Sequence, residues 1–563
     1  MRIQFLHIGR AIAPAAPQEA LLVDDAVSSQ PELGQGFKSL QDFQITFAEG
    51  NKNEFRPTVI VGENGTGKTN LLEVLVTIFR DLDLDVRTSF AYTLKYECHN
   101  RNIYIYAEAN KIPKFLVNER SVTKTDFLRH KDDFFPRHIF CYYSGNNPRL
   151  VRLFYTHQKK HLEDLTTGYD KASESRDISL ELQRFFYAKT VHSKFVLLSF
   201  FMEGDEKSQQ FLADVFGITG LESVLFEIRR PTWATGTRTA KGTPGKRFWN
   251  AKGLVKKFLN HLYEYSFAPL ELKQVQLQRD FNTKDREELL CLYLESPEKL
   301  RAMVQEHYPK PQQFFDALES TDISDLLEDV RILLHSNRSK TPVAFSELSE
   351  GEQQLLTVFG LLRFTKQDES LILLDEPDTH LNPIWGWQYF DMLEKALEKP
   401  GSSHFIMVTH DPLVISDLEK EQVQVLHRKE DGRIYADEPK VSPRGAGIAG
   451  ILMSELYGLR GGLDRHTLKL LEEKRILAVT ENLSPQQRKR LRDLQDMTEG
   501  LGFTRDDKDP NYKRFLDALY KRNDYTDIIK KDGALNAEEI ESLERMALEA
   551  LNDLRTVLRE GRL

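Results

Sequence analysis

Three short apolar runs, each closed by glycine or polar residues, set the pattern of this chain. Val59, Ile60 and Val61 precede Gly62 in "RPTVIVGENGTGKTNLLEVLVTIF". Leu371 to Leu374 precede Asp375 in "SLILLDEP", and "HFIMVTHDP" ends its run at Thr409 and His410. Runs without polar alternation are the mark of strands buried on both faces in a parallel sheet. After Gly62, Leu71, Leu72, Leu75, Val76 and Phe79 recur at helical spacing, which predicts strand, glycine loop and helix. Further short strands are expected between about 90 and 145, "NIYIYAE" and "HIFCYY" among them. From about 155 to 340 the pattern turns to helices separated by polar loops. No heptad is sustained there, so a globular insertion is expected and not a coiled-coil arm. Beyond about 445 the pattern is helical to the end. The last element opens on Asn536 as a cap with Glu539 three residues on, and places Ile540, Leu543, Ala547, Leu551, Leu554 and Leu558 on one face. The expected class is α/β: a lobe over 1–150, a mainly helical insertion over 151–340, a second lobe over 341–444 and a helical region over 445–563, suited to partner docking.

Composition narrows the choice of function. At 563 residues the chain has room for roughly three or four folding units. A net charge of −9 leaves no global basic coat, so any nucleic-acid site must be local. Local basicity does occur: residues 229–257 hold nine Lys or Arg and no acid. Gly236, Gly242, Pro244 and Gly245 lie in the middle of that strip, and Trp233, Phe248 and Trp249 are candidate stacking faces. Arg238, Lys241, Lys246 and Arg247 are its candidate phosphate contacts, against the alternative of a solvated loop anchored by its tryptophans. Cys98, Cys141 and Cys291 show no metal-ligand spacing and fit a reducing compartment. "MRIQFLHIGR" builds no signal-peptide core, and "FVLLSFF" at 195–201 is too short to span a bilayer. A soluble cytoplasmic protein with no membrane contact is expected.

"GENGTGKT", residues 62–69, fits G-x-x-x-x-G-K-[ST] in the required strand-to-helix setting. Gly62, Gly65 and Gly67, with Glu63, Asn64 and Thr66 between them, let successive N–H groups face a β-phosphate at a positive helix end. Lys68 is expected to reach the β- and γ-phosphates, and Thr69 to ligate Mg²⁺, with Asn70 next to it. ATP with Mg²⁺ is therefore the expected ligand. Asp375, at the end of a buried strand, suits the metal; Glu376 beside it points elsewhere and can take a proton from attacking water. His410 adds an imidazole able to touch the γ-phosphate or that water. A second anion-seeking helix start stands in "SELSEGEQQLL", with Ser349 and Gly351 at its head. One Lys68 site cannot use that start if the two lie on opposite lobes, whereas two copies facing head to tail could each close the other's γ-phosphate.

The set "GENGTGKT", "LSEGEQQ", "LILLDEPDTHLNP" and "IMVTH" resembles the ABC-type ATPase heads of the RecF, SMC and OLD group, over roughly 1–150 and 340–430. The resemblance implies an ABC-type, P-loop ATPase head with a mixed sheet, in which nucleotide is sandwiched between two heads. Carried over, Ser349 and Gly351 are the signature acting in trans, Asp375 and Glu376 the Mg²⁺ ligand and base, and His410 the switch histidine. Thr379 to Asn382 falls at the D-loop, with Asn382 where many relatives have aspartate. "GFKSLQDF" resembles an early Phe-Arg-Ser segment of the group and makes Lys38 a candidate phosphate contact. No Q-loop glutamine can be read; "YYSGNN", 142–147, ends a strand at that place. The metal-binding acids of OLD-type nucleases and the long arms of SMC proteins are not found. Arg152 and His157 have the R-x4-H spacing of HEPN ribonucleases, which is expected about once by chance in such a chain. "FEIRRPTW", "FWNAKGLVKKFLNHL", "ILMSELYGLRGGLD" and "DPNYKRFLDALY" look like the PtuA ATPases of Septu-type and retron-associated anti-phage systems. That resemblance implies a homodimer or larger assembly and a separately encoded HNH nuclease, PtuB-like, with DNA or a retron reverse transcriptase–DNA complex as a further partner. The alternatives are a repair-type clamp without an effector and a self-contained OLD-like nuclease.

Overall fold

In the computed structural model, the three apolar runs become neighbouring parallel strands. The structure describes residues 1–14, 36–47, 55–145, 147–171, 184–204, 206–234, 247–278, 284–364, 369–397, 402–459, 461–480, 482–501, 515–516, 518–530, 535 and 537–559. Strands β3 (Thr58–Gly62), β8 (Ile139–Tyr143), β9 (Phe185–Ala188), β15 (Leu371–Asp375) and β16 (His404–Val408) lie in the order β3-β16-β15-β8-β9. All these pairings are parallel, and Asp375 is level with Tyr143 on one side and Val408 on the other. Every residue of β15 and β16 is buried, which accounts for the missing polar alternation. The C-terminal ends of such strands are where an open parallel sheet leaves a crevice for ligands.

A second sheet has the opposite character. Strands β1 (Arg2–Ile8), β2 (Phe43–Thr46), β4 (Tyr92–Cys98), β5 (Arg101–Ala107), β6 (Lys114–Val117) and β7 (Arg120–Val122) pair antiparallel in the order β2-β1-β4-β5-β6-β7. In β5, Ile103, Ile105 and Ala107 are buried while Asn102, Tyr104 and Tyr106 are not, the alternation of a sheet wet on one face.

The segment expected to be mainly helical does contain helices, but it is organised around a third sheet. Strands β10 (Ile218–Arg229), β11 (Leu270–Gln278), β12 (Lys284–Leu294), β13 (Leu327–Ser336) and β14 (Val343–Ala344) form an antiparallel sheet ordered β11-β12-β10-β13-β14. β10 is 12 residues long and carries three register shifts against β13. Each bulge resets the two-residue alternation, so "ITGLESVLFEIR" does not read as a strand from its spacing. The apolar stretch "FVLLSFF" lies in helix α2 (Val191–Glu203), buried nearly all round. Among the described residues no helix is long and apolar enough to cross a membrane.

The chain divides into two compact units: residues 1–60, 67–414 and 428–436 form one, and 61–66, 415–427 and 437–563 the other. The second unit is helical beyond Gly447, with helices Gly447–Met453, Arg465–Val479, Pro485–Gly500, Asn523–Lys530 and Ala537–Arg559. In the last of these, Met546 and Ala550 bury against Leu519, while Leu551 is partly exposed, so the inward face is turned from the expected stripe. The Asn536 cap lies outside the described residues.

Helix α4 (Pro311–Ile323) packs in the first unit against α2 and helix α3 (Gly253–Tyr265) with two acids on its inner side. Burial, opposed by Lys189, pushes the Glu319 carboxyl up to about 8. Burial and the neighbouring Glu319 raise Asp316, one of whose oxygens has no hydrogen-bond partner. Glu319 keeps its proton when folded at pH values where the unfolded chain, titrating near 4.5, has lost it. Stability is therefore expected to fall as pH rises from about 4.5 to about 8, by up to about 1.4 kcal/mol per unit for this one proton. Urea unfolding of native and Glu319→Gln chains at pH 5 and 8 checks this. The variant should lose less stability between the two pH values, and equal losses would remove Glu319 as the cause.

Candidate functional site

The glycine loop owes its shape to backbone that L side chains rarely adopt. Gly62, Gly65 and Gly67 have φ of 145°, 83° and 85°. Gly67 caps helix α1 (Lys68–Asp83), and a Cβ there would lie 2.8 Å from Ser39 Oγ. Ser39 also accepts a hydrogen bond from Asn70 Nδ2 at 2.7 Å, so the "GFKSL" segment sits against the start of α1 through its serine. Lys38, the candidate phosphate contact, instead pairs with Glu73 on α1 at 2.5 Å. Its ammonium is engaged there, and nothing in its geometry directs it to a phosphate. Lys68 itself is buried.

Asp375 is the focus of the site. Its side chain is fully buried at the end of β15, and neither carboxylate oxygen completes a hydrogen bond among the described residues. Burial pushes its carboxyl up to about 6, helped by Glu376. The facing Thr69 hydroxyl and the charges of Arg149 and Lys68 pull the other way. Buried ionisable groups are normally paired, so a carboxylate left without a hydrogen bond beside a hydroxyl has unused acceptor capacity. Two carboxylate oxygens and a hydroxyl are hard donors of the kind Mg²⁺ takes, and the residues present fit that ion.

Glu376 turns away from Asp375 because its backbone is left-handed, with φ of 52°. Such a conformation costs about 1–3 kcal/mol and persists only when the surroundings over-determine it. Here the Glu376 N–H donates to the Val408 carbonyl at 2.9 Å. Its own carbonyl accepts from Thr379 Oγ1 at 2.9 Å and from Gln354 Nε2 at 3.3 Å. The turn delivers the carboxylate to within 3.4 Å of His410 Nε2. Burial and the Lys68 charge lower the His410 pKa, against the pull of Glu376, so the ring is neutral at pH 7. Lys68, Thr69, Asp375, Glu376 and His410 thus gather around one point.

Ser349 heads helix α5 (Glu350–Phe364) in a reciprocal cap. Its N–H and hydroxyl donate to Glu352 Oε2 at 2.9 and 3.0 Å, and its hydroxyl accepts from the Glu352 N–H at 3.2 Å. Gly351 is there for close approach: a Cβ would lie 2.6 Å from the His380 carbonyl oxygen. Gln354 spans the gap between α5 and the strand end, since its Oε1 also accepts from the His380 N–H at 3.3 Å. Asn382 caps helix α6 (Pro383–Trp387), accepting from the Trp385 N–H at 3.0 Å. Asparagine caps a helix about as well as aspartate, so Asn382 suits the local fold.

Two other candidates resolve differently. His157 pairs with Asp83 at 3.0 Å and stacks on Phe185, a structural setting, while Arg152 is exposed. In the basic strip, Phe248 and Trp249 are fully buried and offer no stacking face. Trp233 is 47% exposed with its Nε1 donating to the Ser324 carbonyl at 2.8 Å. Arg247 lies over the Tyr263 ring. Arg238, Lys241 and Lys246, with Gly236, Gly242, Pro244 and Gly245, lie outside the described residues. Sequence reasoning missed Ser39, Gln354 and Arg149; only the place of "YYSGNN" just before Arg149 hinted at the last.

Residues 292–416 match a family model described as "AAA domain, putative AbiEii toxin, Type IV TA system", a span that takes in Ser349, Gly351, Asp375, Glu376 and His410. A curated relative, Septu protein PtuA of Bacillus mycoides (strain KBAB4), is 27% identical over 217 residues. The chain is similar to a Septu PtuA. That match takes in 36% of this chain and 29% of the relative, so the chain spans under a third of the relative's length. Among solved structures, an SMC head bound to the C-winged helix domain of ScpA is 13% identical, covering 78% of this chain and 98% of that one, with a TM-score of 0.32. The SMC head domain from Thermotoga maritima is 14% identical, covering 78% and 100%, with a TM-score of 0.30.

Replacing Gly351 by alanine sets a helix-propensity gain of about 1 kcal/mol against overpacking of about 1–3 kcal/mol on the His380 carbonyl. The close approach should win, and Gly351→Ala should lower unfolding free energy by about 1 kcal/mol in urea titration. A more stable variant would mean that α5 and the turn at His380 separate freely.

Proposed function

We propose that the chain is an ABC-type ATPase subunit of an anti-phage defence system, which binds and hydrolyses ATP. In this reading nucleotide-dependent head dimerisation scaffolds and regulates a separately encoded HNH nuclease of the PtuB kind. The observation that carries the reading is Asp375: a fully buried carboxylate without a hydrogen bond, opposite Thr69 and beside Lys68, calls for a cation brought in by a ligand. Thr69 and Asp375 would hold Mg²⁺, which when bound neutralises charge on the β- and γ-phosphates. Residues 62–70 cradle the phosphates, Lys68 offsets γ-phosphate charge, and Glu376 accepts a proton from the attacking water. His410, neutral and 3.4 Å from Glu376, orients that carboxylate. Ser349 and Gly351 of one copy close the site of a second. The similarity to a Septu PtuA supports the defence setting and, with it, the nuclease partner.

Lys68→Ala is expected to weaken ATP binding at least tenfold, read by calorimetry, because charge-assisted contacts to phosphate are lost. Equal affinity for the native and substituted chains would refute the site. Glu376→Gln should retain ATP and accumulate as an ATP-dependent dimer in size-exclusion chromatography; native turnover in that variant would remove Glu376 as base.

The trans arrangement has its own check. Ser349→Arg should bind ATP at its own Lys68 yet not dimerise, and mixing it with Lys68→Ala should restore one composite site per pair. Failure of the mixture to associate on adding ATP would leave each chain acting alone. Co-purification of a neighbouring gene's H-N-H product tests the partner, and DNA cleavage by the purified chain alone would overturn that half of the reading.

A further inference from the structure

The glycine loop and Lys68 do not account for every cation at the strand ends. Strand β8 stops at Tyr143, level with Asp375, and the Ser144 N–H donates to the Asp375 carbonyl at 3.2 Å. Six residues past the strand end the chain presents Arg149, whose backbone N–H is fixed by Asn147 Oδ1 at 3.1 Å. Its Nη1 donates to Asn70 Oδ1 at 3.2 Å, one residue beyond Thr69 on α1. Asn70 is held in turn by Ser39, which also lies against Gly67. A serine, an asparagine and an arginine from three separate segments therefore converge on the first turn of α1.

What Arg149 lacks is as informative. Its Nε is buried without a hydrogen-bond partner, and among the described residues no carboxylate comes within ion-pair distance of the guanidinium. The guanidinium is held one residue from Thr69 at the start of α1, and its segment leaves β8 level with Asp375. An arginine held in place but not neutralised, beside a carboxylate that is likewise unsatisfied, fits a bound anion and cation arriving together. A magnesium–triphosphate is such a pair. Lys68 alone leaves part of its negative charge unmatched, and a planar guanidinium suits the oxygens of a phosphate.

We propose that Arg149 is a phosphate-binding residue of the ATP site that contacts the terminal phosphate from the β8 side and so favours ATP over ADP. This rests on the ATP-binding reading above. In that reading the glycine loop would serve the β-phosphate, which leaves the terminal phosphate for a guanidinium held beside Asn70 on the β8 side. Asn70 and Ser39 are positioning residues for it, setting the guanidinium before the ligand arrives.

The test compares binding of Mg²⁺ with ADP and with a non-hydrolysable imido analogue of ATP. Native, Arg149→Ala, Arg149→Lys and Arg152→Ala chains are titrated, with thermal melting run on each. Loss of a charge-assisted contact to the γ-phosphate should weaken the ATP analogue by roughly tenfold to a hundredfold in Arg149→Ala. ADP affinity should stay within about twofold of native, because ADP lacks the contacted group. Arg149→Lys should recover part of the loss, and Arg152→Ala should match native. Equal weakening of both nucleotides, or native affinity for the analogue, in a normally melting Arg149→Ala chain overturns the inference and leaves the ATP site standing. A native chain that binds neither nucleotide brings down the ATP-binding reading, and this inference with it. If Arg149→Ala does not fold, the Arg149→Lys ratio of analogue to ADP affinity decides: a ratio equal to native rejects the role.

Discussion

The rest of the site depends on one unfavourable fact, the burial of the Asp375 carboxylate without a partner. An ion of this kind costs several kcal/mol to remove from water, and the usual offsets, a hydrogen bond or a facing charge in contact, are not made. Part of the cost is avoided by holding the proton longer, which is why the group titrates near 6. The remainder is tolerated because β15 is bounded by β8 and β16 in parallel register, so the strand end cannot turn its side chain outward. A sheet built this way concentrates an unfavourable electrostatic contribution at one point.

That same register explains how much of the site was legible. Strands buried on both faces advertise themselves as unbroken apolar runs, and their last residues necessarily lie at one edge of the sheet. Lys68, Thr69, Asp375, Glu376 and His410 were therefore locatable from short words in the sequence, and the structure gathers them. Glu376's divergence from Asp375 was also foreseeable in outline, though its cause, a left-handed residue pinned by Val408, Thr379 and Gln354, was not.

The parts that were not legible share a reason: they depend on partners distant in sequence. Lys38, a candidate phosphate contact by resemblance, is engaged by Glu73, a partner that its own segment does not reveal. Phe248 and Trp249 read as stacking faces in a basic strip, but burial against the insertion, with Trp249 Nε1 donating to Glu288, takes them out of solvent. The five-stranded sheet of the insertion escaped because bulges interrupt the alternation of β10. Arg149 follows no motif, and only the pairing of β8 with β15 brings it to Asp375.

The helix start at Ser349 shows how a second anion-seeking site can be held in reserve. Of the N–H groups that open α5, those of Ser349 and Glu352 are already engaged in the cap, and the Ser349 hydroxyl spends its proton on Glu352. Arg338 pairs with the same carboxylate from outside the helix. Glu352 thus places an internal anion at the positive helix end, in the position an external phosphate would seek. The N–H groups of Glu350 and Gly351 lie outside that box. Any external anion would meet those two groups first, and would gain the Ser349 hydroxyl only if that hydroxyl rotates away from Glu352. Because Gly351 lies against the His380 carbonyl and Gln354 links α5 to Glu376, a shift of the helix start presses on the backbone that aims the Glu376 carboxylate. The position of the α5 start and the aim of Glu376 are, on this geometry, mechanically coupled.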